Sequence, residues 1–170
     1  MKRKKLISML MFLVFMVNVC TIKTEAYVLN GYVLSNPSNV KYKISSSVGQ
    51  YSSTVSTYAK KWATYCDEIN MVNVSANENI YFYGELNVDN GTFAITSHKS
   101  NNYHSITLYK AFADASVSNR QETIVHEVGH ALGLAHCESK NVGKSVMRAT
   151  GFNGRAYPLS DDIKGISAIY

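Results

Sequence analysis

The stretch that most limits what this 170-residue chain can fold into is His126-Glu127-Val128-Gly129-His130-Ala131-Leu132-Gly133-Leu134-Ala135-His136. Three of the chain's five histidines fall inside these 11 residues. Histidines four apart on a helix project from one face, about 6 Å apart in rise, which lets two imidazole nitrogens hold one zinc ion at roughly 2.0–2.1 Å each. Glu127 lies one position round that helix, where it can reach a water on the metal without becoming a ligand. Gly133 stands three residues after His130, where a left-handed backbone ends a helix and turns the chain back. His136 then approaches the same metal from the loop. Three protein nitrogens leave a fourth position open for water, the pattern of a catalytic zinc site and not a closed structural one. At this composition the five fixed positions arise by chance on the order of once in ten million windows, which sets aside accidental spacing of core or surface histidines.

Periodicity supplies the elements around the motif. Val40–Ile44 alternates apolar and polar residues, as a half-buried strand does. Val55, Tyr58, Ala59, Trp62, Cys66 and Ile69 recur at three- and four-residue steps and predict an amphipathic helix over 52–69. Short strands are expected at 71–75, 80–86, 92–97 and 105–109, with Asp89-Asn90-Gly91 as a tight-turn signal before the third of these. Ser118, with Gln121 three residues on, forms a capping box for a second helix that presents Ile124, Val128, Ala131 and Leu132 on one face and stops at Gly133. A third helix is expected from Ser160, with Asp161 and Asp162 at its positive end and an apolar stripe of Ile163, Ile166 and Ile169.

The chain opens with Lys2, Arg3, Lys4 and Lys5, runs through an apolar stretch over 6–20, and reaches Thr24-Glu25-Ala26, with small residues at the −3 and −1 positions of a cut before Tyr27. Fifteen helical residues rise only about 22 Å, short of a bilayer core of roughly 30 Å, so the segment reads as a secretory signal and not an anchor. Val19 is too bulky for lipoprotein processing at Cys20. Beyond residue 26 the chain keeps 12 basic and 11 acidic residues, a net charge of +1. The basic pI of about 9.0 therefore belongs to the signal, and no electrostatic case for nucleic acid survives. The expected organisation is a signal peptide over 1–26 and a single catalytic domain over 27–170. That domain divides into an N-terminal segment (27–39), an upper subdomain (40–136) and a lower subdomain (137–170). The product is expected to be secreted and extracellular, monomeric, and free of stable membrane insertion after signal removal. Cys66 and Cys137 remain after the cut; a disulfide and two buried thiols both stay open.

Downstream of the motif come Ser145-Val146-Met147 and the ending Leu159-Ser160-Asp161-Asp162-Ile163-Lys164-Gly165-Ile166-Ser167-Ala168-Ile169-Tyr170. With these, the sequence resembles the metzincin zinc endopeptidases, and within them the matrixin branch, over about residues 40–170. The resemblance implies an α+β, zincin-like catalytic domain: a twisted mixed sheet of about five strands, two main helices and a small C-terminal subdomain ending in a helix. It implies one catalytic zinc held by His126, His130 and His136, with Glu127 as general base and Met147 as a hydrophobic floor. The segment 148–158 is similar to a specificity-pocket wall, with Tyr157 a candidate lining residue. Ala149 stands where an astacin-type enzyme would carry tyrosine. Structural calcium or a second zinc is left open. His98 and His104 lie in the right region, but the surrounding acidic cluster is missing, so surface or strand-end histidines are expected there. No long prodomain with a latency cysteine fits before the first strand.

The implied activity is hydrolysis of a protein or peptide substrate lying extended along the sheet edge formed by 92–97. Two other readings are carried. One is a secreted zinc-binding interaction or toxin-like module without proteolysis, which has no need of the acid at Glu127. The other is a zinc hydrolase of a non-peptide bond.

Overall fold

Five strands form one sheet in a computed structural model that describes residues 27–170; the expected signal segment lies outside the described residues. The strands are β1 (Val40–Ile44), β2 (Met71–Asn73), β3 (Ile80–Glu85), β4 (Ala94–Ser100) and β5 (Tyr103–Tyr109), in the order β2-β1-β3-β5-β4. β1 pairs in parallel with both β2 and β3, and β3 pairs in parallel with β5. β4 is antiparallel to β5 and ends the sheet. The helices are α1 (Ser52–Ala59), α2 (Lys61–Tyr65), α3 (Lys110–Asp114), α4 (Val117–Ala131) and α5 (Ser160–Ile169). The expected α+β architecture with a mixed five-stranded sheet is what forms.

The core follows from the strand alternation. Val40 and Tyr42 of β1, Ile80 and Phe82 of β3, and Ile106 and Leu108 of β5 are all fully buried. Val55, Ala59, Trp62, Ile124, Val125 and Val128 from the helices complete this core. Each such side chain contributes roughly 1.5–3 kcal/mol by leaving water. The Trp62 indole Nε1–H donates to the Val125 carbonyl at 3.0 Å, which satisfies a buried donor and ties α2 to α4. The consequence for the site is a motif helix held between the sheet and the first helices.

Several boundaries differ from the sequence expectations, each for a tertiary reason. The helix expected over 52–69 is broken at Lys60 and ends at Tyr65. Cys66 is extended, because the chain must leave the helix for the Asn70 carbonyl to accept the Val40 N–H at 2.8 Å and for Met71 to pair with Val40. The edge strand starts at Ala94, since Thr92 donates its N–H to Asn90 Oδ1 at 3.0 Å within the Asp89-Asn90-Gly91 turn. That turn joins no hairpin: β3 and β4 are separated by β5. Ser116, not Ser118, caps α4, accepting the Asn119 N–H at 3.2 Å. The five residues of the short α3 show no period in sequence; it is held by buried Phe112, edge-on to Tyr51 at 5.4 Å. Among the described residues no helix is long and apolar enough to cross a membrane.

Candidate metal centre

His126 and His130 lie one turn apart on α4, and the chain after the helix brings His136 to them. The three Nε2 atoms are 3.1 Å (126–130), 3.2 Å (130–136) and 3.3 Å (126–136) apart. Zinc–nitrogen bonds of 2.0–2.1 Å at tetrahedral angles place ligand nitrogens about 3.3–3.4 Å apart, so the triad has the dimensions of a zinc site. Tautomers add a second argument. His126 Nδ1 lies 2.9 Å from the Val146 carbonyl and His130 Nδ1 lies 2.8 Å from the Leu134 carbonyl. A carbonyl only accepts, so both Nδ1 atoms carry the proton and both Nε2 atoms present lone pairs. Two lone pairs facing each other at 3.1 Å repel unless a cation lies between them. Among the described residues this is the one group of three or more potential ligands that converge.

Burial keeps the two helix imidazoles neutral. It pulls His126 and His130 down to about 4, from 6.5. His104, buried between strands, is lowered to about 4 by the same desolvation and then by its neighbour His98. With 6.5 as the unfolded value, these three imidazoles bind fewer protons in the folded chain than in the unfolded one between about 4 and 6.5, so their contribution to stability falls as pH drops through that window. In chelator-treated protein, NMR titration should place the midpoints of the His104, His126 and His130 rings well below 6.5. Midpoints near 6.5 would contradict the buried neutral histidines.

The turn after the helix is built on Gly133, whose φ is +106°. The Gly133 N–H donates to His130 O at 3.1 Å and the Leu134 N–H to Gly129 O at 3.0 Å, the paired bonds of a Schellman motif. A Cβ at Gly133 would lie 2.6 Å from the Tyr32 carbonyl oxygen, so only glycine fits. This turn aims the Leu134 carbonyl back at His130. The N-terminal segment then closes over it. Asn30 Nδ2 donates to His130 O (2.8 Å) and Leu134 O (3.2 Å), and the Ala135 N–H donates to Val28 O (2.7 Å). Asn30 thus supports the carbonyl that orients His130. Its Asn-Gly pair reads in sequence only as a turn signal.

Glu127 points to the same place from the next position of the helix. It is buried, and its Oε2 accepts from the Thr96 hydroxyl at 2.7 Å, with the Glu127 carbonyl 2.9 Å from the same oxygen. Desolvation pushes its carboxyl up from the ordinary value, while His130 and the Thr96 bond pull it partly back. Thr96 sits on edge strand β4, and no spacing rule connects it with Glu127. Beneath the helix, Met147 is buried and packs on Gly129, where a Cβ would come within 2.3 Å of the Met147 sulfur. Asp162 of α5 anchors this turn: its carboxylate accepts from the Ser145 hydroxyl (2.5 Å), the Val146 N–H (2.8 Å) and the Leu159 N–H (2.8 Å). Asp162 therefore helps place the Val146 carbonyl that holds His126, beyond complementing a helix dipole.

A cavity of about 430 Å³ opens beside the triad, lined by His126, Glu127, His136, Glu122, Arg148 and Phe152, among others. Tyr157 is not on that lining; its ring stacks on Tyr65 at 5.3 Å. His98 is half-buried and His104 is not a surface residue, and both lie near strand ends as expected. They face each other across β4 and β5 with Nδ1 atoms 3.0 Å apart, His104 fully buried and Tyr32 stacked on His98 at 4.1 Å. The central position of β5 buries His104, which strand periodicity alone does not reveal. Cys66 and Cys137 are both free buried thiols, and burial pushes Cys66 up to about 12.

The comparisons with known proteins agree with this geometry. The matrixin profile, a peptidase family, matches residues 59–170. The chain belongs to the matrixin family. As a matrixin it is a zinc metalloprotease, and the family implies zinc for the histidine triad. No curated protein matches it in sequence. Among solved structures, that of myroilysin is similar with a TM-score of 0.59 and 16% identity, over 81% of this chain and 82% of that one. A chain of the ECX AB5 holotoxin in its GM1-bound form is similar with a TM-score of 0.60 and 15% identity, over 85% of this chain and 88% of that one. At these identities the structural likeness concerns the fold alone.

Proposed function

We propose that this matrixin is a secreted endopeptidase in which Glu127 activates the hydrolytic water. The observation that carries the reading is a buried carboxylate, held by Thr96 and lining the same cavity as His126 and His136. His126, His130 and His136 would hold the zinc ion. When bound, zinc supplies Lewis acidity, which acidifies water and polarises the scissile carbonyl. The chain's own work is then proton handling and positioning. Glu127, made more basic by burial, accepts a proton from water and later delivers it to the leaving amine nitrogen. Val146 and Leu134 keep both helix histidines in the ligating tautomer.

The substrate would lie extended on the free side of β4, since that strand ends the sheet and leaves backbone groups unpaired for a further strand. The adjacent cavity would receive the side chain of the residue after the cut. Export follows from the basic, apolar and small-residue pattern of residues 1–26. The holotoxin likeness touches the binding-module reading only through the fold; the Thr96-held acid favours hydrolysis.

The purified protein loaded with zinc should cleave casein, lose that activity to a chelator and recover it on zinc addition. Zinc-loaded protein that cuts neither casein nor a diverse peptide mixture would sink the protease reading. Retained cleavage after complete zinc removal would sink the metal assignment.

A further inference from the structure

Glu122 is a buried carboxylate that the proton handling above does not use. It stands one turn before His126 on α4, with a side chain 3% exposed. Its Oε1 accepts from Arg148 Nη2 at 2.5 Å and from the Asn153 N–H at 3.0 Å. Its Oε2 accepts from the Asn153, Gly154 and Arg155 N–H groups at 3.1, 2.8 and 3.2 Å. Three successive backbone N–H groups curved round one carboxylate form an anion-binding concavity, here filled by the protein's own side chain. Arg148 Nη2 also donates to Gly151 O at 3.1 Å, which ties the start of the loop to its middle.

This matters because 148–158 contains no helix or strand and so has no hydrogen-bond ladder of its own. The loop is nevertheless one wall of the cavity beside the triad. Beside the stack of Tyr157 on Tyr65, the loop makes a contact through Phe152, edge-on to Phe93 at 5.0 Å, just before β4. Phe152 immediately precedes the three amides that Glu122 holds. The carboxylate therefore determines where that ring sits, and it does so from the helix that carries His126 and His130. Taking a carboxylate out of water is expensive unless it is paired and fully hydrogen-bonded, and Glu122 meets both conditions.

We infer that Glu122 is a positioning residue: it fixes the 148–155 wall relative to the metal centre and so sets which side chain is admitted after the cut. The inference rests on the protease reading. Glutamine keeps the volume but replaces one acceptor oxygen by a donor, so it faces backbone N–H groups with another N–H. In Glu122→Gln the KM for peptide substrates should rise about tenfold while kcat changes less than about threefold. The residue preference after the cut, read by mass spectrometry of fragments from a peptide mixture, should broaden, with zinc content unchanged. Glu122→Asp, which keeps the carboxylate, should recover part of that preference.

Amide hydrogen exchange on the wild-type protein gives a readout that needs no variant. The Asn153, Gly154 and Arg155 amides should be protected, and in Glu122→Gln they should exchange at least about tenfold faster. An unaltered cleavage preference and KM in Glu122→Gln, or unprotected amides at 153–155 in the wild type, would overturn the inference. If Glu122→Gln does not fold, the wild-type exchange pattern decides it. A zinc-loaded wild type that cuts no peptide overturns the protease reading instead, and is distinguishable because it is seen without any change at Glu122.

Discussion

Glu127→Ala should lower kcat/KM for peptide hydrolysis by about 10²–10⁴ while leaving zinc content unchanged, the range expected for removing a positioned general base. The separation of the two readouts follows from the geometry. The three Nε2 atoms converge within 3.3 Å of one another, and both helix histidines are oriented by backbone carbonyls of Val146 and Leu134. None of those bonds involves the Glu127 side chain, whose carboxylate accepts from the Thr96 hydroxyl. Removing the carboxylate would therefore take away the proposed proton acceptor and leave the histidine triad standing. Metal analysis together with steady-state kinetics on one preparation decides the matter. Equal metal content with unchanged activity would defeat the mechanism. Loss of zinc along with activity would move Glu127 from base to structural support.

The complementary result is expected from His130→Ala. Zinc affinity should fall by more than roughly 100-fold, the upper range for losing only an outer partner of a ligand, and peptide cleavage should fall with it. His130 sits at the centre of the arrangement. Its Nε2 is the atom nearest both other nitrogens, at 3.1 and 3.2 Å, and its Nδ1–H is aimed by the Schellman turn at Gly133. A competition titration against a chromophoric chelator reads the affinity directly. His136→Ala should lose zinc equally but disturb the metal-free fold less, because His136 is exposed whereas His130 is partly buried among the helix contacts. Unchanged zinc affinity in either variant would show that the ion is held elsewhere.

Much of the fold was readable in advance because it rests on short-range pattern. The alternation in Val40–Ile44 matches β1 residue for residue, and the last helix begins at Ser160 as its acidic first turn indicates. Where the reading failed, a long-range contact overrode a local preference. Cys66 leaves the expected helix because β2 must reach β1, and the Asp89-Asn90-Gly91 turn makes no hairpin because β5 inserts between β3 and β4. His104 does lie at a strand end but is wholly buried, since β5 is an interior strand of the sheet.

The site divides along the same line. The spacing of His126, His130 and His136, the acid at Glu127 and the glycine at 133 were determined by the sequence alone. Helical geometry converts a four-residue step into a shared face, and a positive φ three residues later admits only glycine at this close approach. The groups that make those residues usable come from far along the chain. Thr96 reaches Glu127 across 31 positions, the Val146 carbonyl reaches His126 across 20, and Asn30 reaches His130 O across 100. Glu122 holds amides 31 to 33 residues away. No local periodicity encodes such pairings, because each depends on how the sheet, the helix and the connecting loops pack together. The proposed ligand set belongs to the sequence. Tautomer, burial and the shape of the cavity wall were decided only when the chain folded on itself.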